Sequence, residues 1–196
     1  MGWERPYVEA MDVISIINRI TALPPDDRDK LAGLFQEVTV DKNEYIIEAE
    51  KVANFVYFIG SGSCRIFYHK VEKEVILDFA FPGDALLSLN SYVHGKAGYE
   101  TIQTLERCVL YKVEVRALLT LFANSIAIAN WGRKLAELET LKIESRLMSK
   151  LFKTATESYQ ELLARAPGMV ATIKLGFIAS YLGISQVTLS RIRSKI

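Results

Sequence analysis

The spacing of apolar positions along the chain changes twice, and each change marks a change of architecture. Val13, Ile16, Ile17 and Ile20 recur at helical intervals, the spacing that stacks side chains on one face of a helix. Pro24-Pro25 interrupts this run and Asp26 restarts a short amphipathic turn, so residues 12–34 are expected to form helix that flanks a sheet. From Phe35 to Val113 the period falls to two. Tyr45-Ile46-Ile47, Phe55-Val56-Tyr57-Phe58-Ile59, Cys64-Arg65-Ile66-Phe67-Tyr68, Val75-Ile76-Leu77-Asp78-Phe79, Thr101-Ile102-Gln103-Thr104-Leu105 and Cys108-Val109-Leu110-Tyr111-Lys112-Val113 are short aromatic and β-branched runs, the composition of strands. Gly60-Ser61-Gly62-Ser63 and Phe81-Pro82-Gly83-Asp84 punctuate them as turns. Many short strands without βαβ alternation predict an antiparallel sandwich or barrel.

After Glu114 the pattern turns helical for about fifty residues, with breaks expected only around Ala123-Asn124-Ser125 and Ala166-Pro167-Gly168. Leu121, Ile128 and Leu135 are spaced by seven, as are Trp131 and Leu138, which predicts an a/d seam. A seam of this kind packs either on its own sandwich or on a partner helix. Its place between a β-rich part and the chain's last helices favours pairing two subunits, so these five residues are the expected dimer contact.

Charge sharpens the picture at the far end. From Arg165 to Ile196 there is no acidic residue against Arg165, Lys174, Arg191, Arg193 and Lys195. That leaves 19 basic against 23 acidic residues before it, so residues 1–164 carry −4 and the tail +5. The tail is the part suited to a polyanion. Cys64 and Cys108, the only cysteines, sit inside strand patterns and are expected to be small buried thiols. Met1-Gly2-Trp3-Glu4-Arg5-Pro6 does not read as a leader, and no segment approaches the roughly 20 apolar residues of a membrane span. A cytoplasmic protein is therefore expected.

The tail also holds the sharpest motif, Phe177-Ile178-Ala179-Ser180-Tyr181-Leu182-Gly183-Ile184-Ser185-Gln186-Val187-Thr188-Leu189-Ser190-Arg191-Ile192. Two helices that cross steeply need a small residue where they touch, here Ala179, and one that tolerates positive φ at the bend, here Gly183. Ile178, Leu182, Ile184, Leu189 and Ile192 supply the shared apolar wedge, and Ser185 is placed to cap the second helix. Gln186, Ser190 and Arg193 then share one side of that helix, and Val187, Arg191 and Ser194 another, facing away from Leu189 and Ile192. Arg191 suits guanine O6 and N7, Gln186 adenine N6 and N7, and Val187 a thymine methyl, while Ser185, Thr188, Arg193 and Lys195 suit phosphates. The pattern predicts a DNA-reading helix-turn-helix.

With these residues in view, nearly the whole chain resembles the Crp/Fnr family, the transcription regulators of the cyclic-AMP receptor protein and Fnr type. The resemblance rests on Phe55 to Arg65, the Pro82-Gly83-Asp84 turn, the long connecting helix, and Leu182 to Arg191. Family members usually carry Ser-Arg-Glu-Thr-Val-(Gly or Ser)-Arg on the recognition helix; Ser185, Thr188 and Arg191 keep that pattern, whereas Gln186 and Val187 replace the Arg-Glu pair. The resemblance implies an α+β chain. Residues 1–120 would form a cyclic-nucleotide-binding-like antiparallel β-roll or jelly roll, 121–143 a long dimerisation helix, and 144–196 a winged-helix-like helix-turn-helix. Its wing would be truncated or moved upstream near Ala171-Thr172-Ile173. Double-stranded DNA, a second copy of the chain and RNA polymerase are the implied partners.

The resemblance also bears on a ligand. Cyclic-nucleotide binders of the family carry Gly-Glu-Leu and, after a short helix, Arg-Ser-Ala or Arg-Thr-Ala, whose Arg pairs with the cyclic phosphate. Here the halves read Gly83-Asp84-Ala85 and Lys96-Ala97-Gly98-Tyr99-Glu100-Thr101, with no arginine between Arg65 and Arg107. Cyclic AMP is therefore not expected to act. The candidate effector pocket comprises Gly83, Asp84, Ala85, Leu86, Tyr99, Glu100 and Thr101, and the space around Leu86, Leu89, Tyr92, Tyr99 and Ile102 is either filled by these side chains or open to another, unknown effector. No cofactor is expected: two cysteines are too few for an iron-sulfur cluster, and His69 and His94 read as strand-surface and loop residues rather than haem ligands. No Gly-rich phosphate loop, metal-ligand spacing or nucleophile-base pair suggests an enzyme.

Overall fold

The computed structural model describes residues 10–71 and 73–195; the expectation about Met1 to Pro6 lies outside them. Among the described residues two short helices come first, α1 (Val13–Ile20) and α2 (Pro25–Ala32). Asp12 caps α1 by accepting from the Ser15 N–H at 2.7 Å, and Pro25 takes the first position of α2, where no N–H is needed. Eight strands come next: β1 (Gln36–Val40), β2 (Tyr45–Ile47), β3 (Phe55–Ser61), β4 (Cys64–Lys70), β5 (Lys73–Ala80), β6 (Ala85–Leu86), β7 (Glu100–Thr104) and β8 (Cys108–Glu114), with α3 (Leu89–His94) between β6 and β7. They form two four-stranded sheets, ordered β1-β8-β3-β6 and β2-β7-β4-β5, and the pairings are antiparallel. The mixed α+β architecture is as the sequence predicts.

The helical half consists of α4 (Val115–Asn124), α5 (Ile126–Phe152), α6 (Ala155–Arg165), α7 (Pro167–Val170), α8 (Leu175–Leu182) and α9 (Gln186–Arg193). The expected break near Ser125 is there, with Ser125 capping α5. A second break at Thr154 is not among those expected from the sequence, and its cause is a capping box in which Thr154 and Glu157 satisfy each other's backbone N–H groups. The expected connecting segment 121–143 thus begins inside α4 and ends inside α5. Ala171 to Ile173, the expected place for a displaced wing, are turn and bend.

Three apolar clusters hold these layers together. Ile47, Ile59, Cys64, Leu86, Ile102, Cys108 and Leu110 fill the space between the sheets, and both cysteines are free, buried thiols. On one outer side, Ile16 and Ile17 of α1, Leu31 of α2, Leu118 of α4 and Trp131 of α5 pack with Phe58 and Val113. The remaining cluster joins Phe67, Ile76, Phe79 and Phe81 to Tyr159, Leu162, Ile178, Ala179 and Leu189. The last helices are therefore seated on the β4–β5 hairpin.

This packing takes Ile128 and Trp131 out of the dimer contact expected from the heptad spacing. Ile128 and Trp131 are wholly buried within their own chain, Trp131 Nε1–H donates to the Ile17 carbonyl at 3.0 Å, and Leu121, Leu135 and Leu138 pack on the same cluster. Leu121 moreover lies on α4, a different helix from the other four. The heptad spacing is real, but the α1 helix and the sheet beneath it cover its centre at Ile128 and Trp131, while Leu121, Leu135 and Leu138 stay half-buried.

Candidate functional site

The helix-turn-helix is built by α8 and α9. Gly183 ends α8 in the left-handed region at φ 71°, where a side chain would clash with its own backbone. The next N–H, that of Ile184, returns to the Ala179 carbonyl at 3.0 Å. Ser185 then starts α9, its Oγ accepting from the Thr188 N–H at 3.1 Å. Leu189 anchors α9 with no exposed surface. That anchoring leaves Ser185, Gln186, Val187, Thr188, Ser190, Arg191, Arg193 and Lys195 all exposed on the outer side, with Val187 61 % accessible. The Gln186 amide lies along Gly176, where an added Cβ would come within 3.0 Å of it. The arrangement presents donors, acceptors, an apolar tip and positive charge on one convex surface, which can enter a groove about 12 Å wide.

Arg165, counted with the basic tail in the sequence, belongs elsewhere. Its guanidinium donates to Asp78 Oδ1 at 2.9 Å, the Phe79 carbonyl at 2.7 Å and Asp84 Oδ2 at 3.3 Å. Its charge is thereby compensated within the chain. Arg146 on α5 donates to the Leu77 and Tyr181 carbonyls and lies 3.3 Å from the centroid of the Tyr181 ring. Ser180 Oγ accepts from the Ile76 N–H at 3.1 Å, and Arg65 stacks between Phe67 and Phe177 at 4.0 and 4.2 Å while pairing with Glu74. These residues couple the helix-turn-helix to the β4–β5 hairpin. Sequence reasoning missed the arginines because a cation on a helix or strand reads as solvated; Asp78, set among Ile76, Leu77 and Phe79, is a hint of a buried partner.

The candidate effector residues separate into two places. Asp84 is 7 % exposed and accepts from the Phe81 N–H at 2.9 Å and from Lys142 Nζ at 2.8 Å, in addition to Arg165. Burial pushes its carboxyl pKa up, but the adjacent Lys142 and Arg165 charges outweigh this and hold it below the ordinary value. For Lys142, burial acts downward and Asp84 and Glu139 lift the ammonium above its usual range. Gly83 turns beneath the Arg19 guanidinium at φ 87°, and Ala85 and Leu86 are buried in β6. None of these four lines the cavity that Tyr99 and Thr101 line, which corrects the single pocket expected. Asp84 ties α5 and α6 to the sheet instead.

That cavity, about 640 Å³, is lined by Tyr45, Glu48, Glu50, Tyr68, His69, Gly98, Tyr99 and Thr101 among others, with no lysine or arginine among the described residues. Of the residues around the expected space, Leu86 and Ile102 fill the inter-sheet core and Leu89 and Tyr99 are exposed; only Tyr99 lines this cavity. Glu100 lies behind its wall, nine-tenths buried. No helix among the described residues is long and apolar enough to cross a membrane.

Comparison with known proteins agrees with this geometry. The cyclic nucleotide-binding domain family model matches residues 37–125. The transcriptional activatory protein AadR of Rhodopseudomonas palustris is 24% identical over 185 residues, covering 89% of this chain and 76% of that protein. FixK2 from Bradyrhizobium japonicum is similar in fold with a TM-score of 0.72, at 20% identity over 82% of this chain and 83% of that one. A putative transcriptional regulator of the Crp/Fnr family from Eubacterium rectale gives a TM-score of 0.68, at 16% identity over 88% and 83%. The resemblance to Crp/Fnr-type regulators read from the sequence is borne out, and the fold is theirs.

Proposed function

With a Crp/Fnr-type fold as the premise, we propose that this protein is a dimeric, sequence-specific DNA-binding transcription regulator that does not respond to cyclic AMP. The observation that carries the reading is α9 itself: Leu189 anchors it while Gln186, Val187, Ser190, Arg191 and Arg193 stand exposed around it. A dimer presents two such helices about 34 Å apart to successive major grooves of a two-fold symmetric site. The reading extends to a cytoplasmic, non-enzymatic protein that meets RNA polymerase at its promoters.

The dimer contact is best assigned to the second half of α5. Leu141, Ile143, Leu147, Met148, Leu151 and Phe152 are all exposed there, spread over one side of a 27-residue helix about 40 Å long. A single chain leaves this apolar row in water, and a second copy of the same helix would cover it. Insensitivity to cyclic AMP is argued from the cavity, in whose lining no lysine or arginine among the described residues faces a phosphate.

The test is a gel shift on sites enriched from genomic DNA. Arg191→Ala is expected to lose discrimination between its site and random DNA by a factor of about ten to a hundred. Lys195→Ala should weaken both about equally and flatten the salt dependence. Full discrimination by Arg191→Ala would overturn the assignment.

A further inference from the structure

We infer that the cavity between β2, β4 and the loop before β7 is a binding site for an organic cation, a quaternary or protonated amine. This rests on the β-domain alone and does not depend on DNA binding.

The wall of the site is rich in π-faces and negative charge. Tyr45, Tyr68 and Tyr99 surround it and all three remain exposed, Tyr99 at 64 %. Tyr68 and Tyr99 meet edge to face at 6.0 Å. Glu48 and Glu50 share the same wall; Glu48 is held by Lys51 at 2.7 Å, outside the lining. Tyrosine faces attract cations through the ring quadrupole, and more strongly where water is excluded.

Glu100 is the independent observation. It is nine-tenths buried, its Oε2 accepts from the Tyr99 N–H at 3.1 Å, and its Oε1 has no hydrogen-bond partner among the described residues. A Cβ added at Gly98 would collide with both carboxylate oxygens and with the Ser88 hydroxyl. Gly98 lines the cavity, whereas Glu100 and Ser88 lie outside its lining, on the far side of the Gly98 backbone. A buried carboxylate oxygen without a partner is unfavourable, and a cation in the cavity would add an opposite charge across the Gly98 backbone from it. An anion there would face Glu48 and Glu50, with His69 the one basic side chain of the lining among the described residues.

The site is also pre-formed. Asn90 Nδ2 donates to the Ala97 carbonyl at 2.6 Å, Ser91 Oγ to the Lys96 carbonyl at 2.9 Å, and the Glu50 N–H to the Gly98 carbonyl at 2.9 Å. The loop is thus fixed from both sides before any ligand arrives. A volume of about 640 Å³ falls within the range of small-molecule sites.

Calorimetric titration of the full chain with choline, its neutral isostere 3,3-dimethylbutan-1-ol, spermidine and cyclic AMP tests the inference. Choline or spermidine is expected to bind, with at least about tenfold preference for choline over the isostere if choline is the tighter of the two. Tyr99→Ala, at an exposed position where folding is not at risk, should weaken the amine about tenfold, and Glu100→Gln should do so while circular dichroism stays that of the wild type. Binding of the isostere as tight as choline with no spermidine binding, binding of cyclic AMP alone, or no binding of any probe at millimolar concentration would each overturn it. Gel-shift behaviour unchanged by the same variants in the absence of amine keeps this outcome separate from that of the regulator reading.

Discussion

Asp84 shows how far a single residue's role departs from its place in a motif. In sequence it stands at the head of a ligand cassette; in the fold it caps its own turn at the Phe81 N–H and receives Lys142 and Arg165 from two different helices. No pattern in the one-dimensional order reports this, because both cations arrive from positions 58 and 81 residues away. Removing the carboxylate strands a turn N–H and two partly solvated cations, so Asp84→Ala is expected to cost about 2 kcal/mol in urea unfolding. The folded pKa of Asp84 is below its unfolded value, so its contribution is complete above the ordinary aspartate range, near pH 4, and is lost as pH falls through the lowered folded value. Stability measured against pH should therefore show the gap between wild type and Asp84→Asn closing on acidification below about pH 4. A gap that widened there would contradict the pairing.

At the scale of elements, the helix-turn-helix was legible almost to the residue and the long helix was not. The motif around Gly183 and Ser185 is local: a bend, a cap and an apolar wedge lie within one short stretch, and each constrains the next. Gly183 has open space where a Cβ would go, so Gly183→Ala probes backbone strain alone. A loss of about 1 kcal/mol is expected by thermal unfolding, with Gly183→Asn losing less because asparagine tolerates the left-handed region. Equal stability of Gly183→Ala and wild type would mean the bend adopts another conformation. The α5 seam fails as a guide for the opposite reason. Spacing identifies an apolar face but not what covers it, and α1, whose Ile17 lies 114 residues before Trp131 in the chain, covers Ile128 and Trp131. The second half of α5 carries no strict heptad of its own, since Glu144 interrupts it.

At the scale of the whole molecule, these two halves of α5 have different physical jobs, and that difference can be measured. The first half is core: Trp131 is wholly buried and its indole N–H is bonded, so Trp131→Ala is expected to destabilise the chain by about 3–5 kcal/mol whatever its oligomeric state. The second half is surface in one chain, with Leu147 and Leu151 both more than half exposed and one turn apart. Charged residues there leave the monomer's packing untouched but would bury four carboxylates in a symmetric helix pair. The double variant Leu147→Glu, Leu151→Glu should therefore sediment as a folded monomer, with the circular dichroism and unfolding midpoint of an intact chain at equal monomer concentration. Its affinity for a two-fold symmetric site should fall at least about a hundredfold, because the second recognition helix no longer arrives at high effective concentration. A double variant that stays dimeric would return the contact to another surface, and one that unfolds would mean α5 is held by more than its own chain's core.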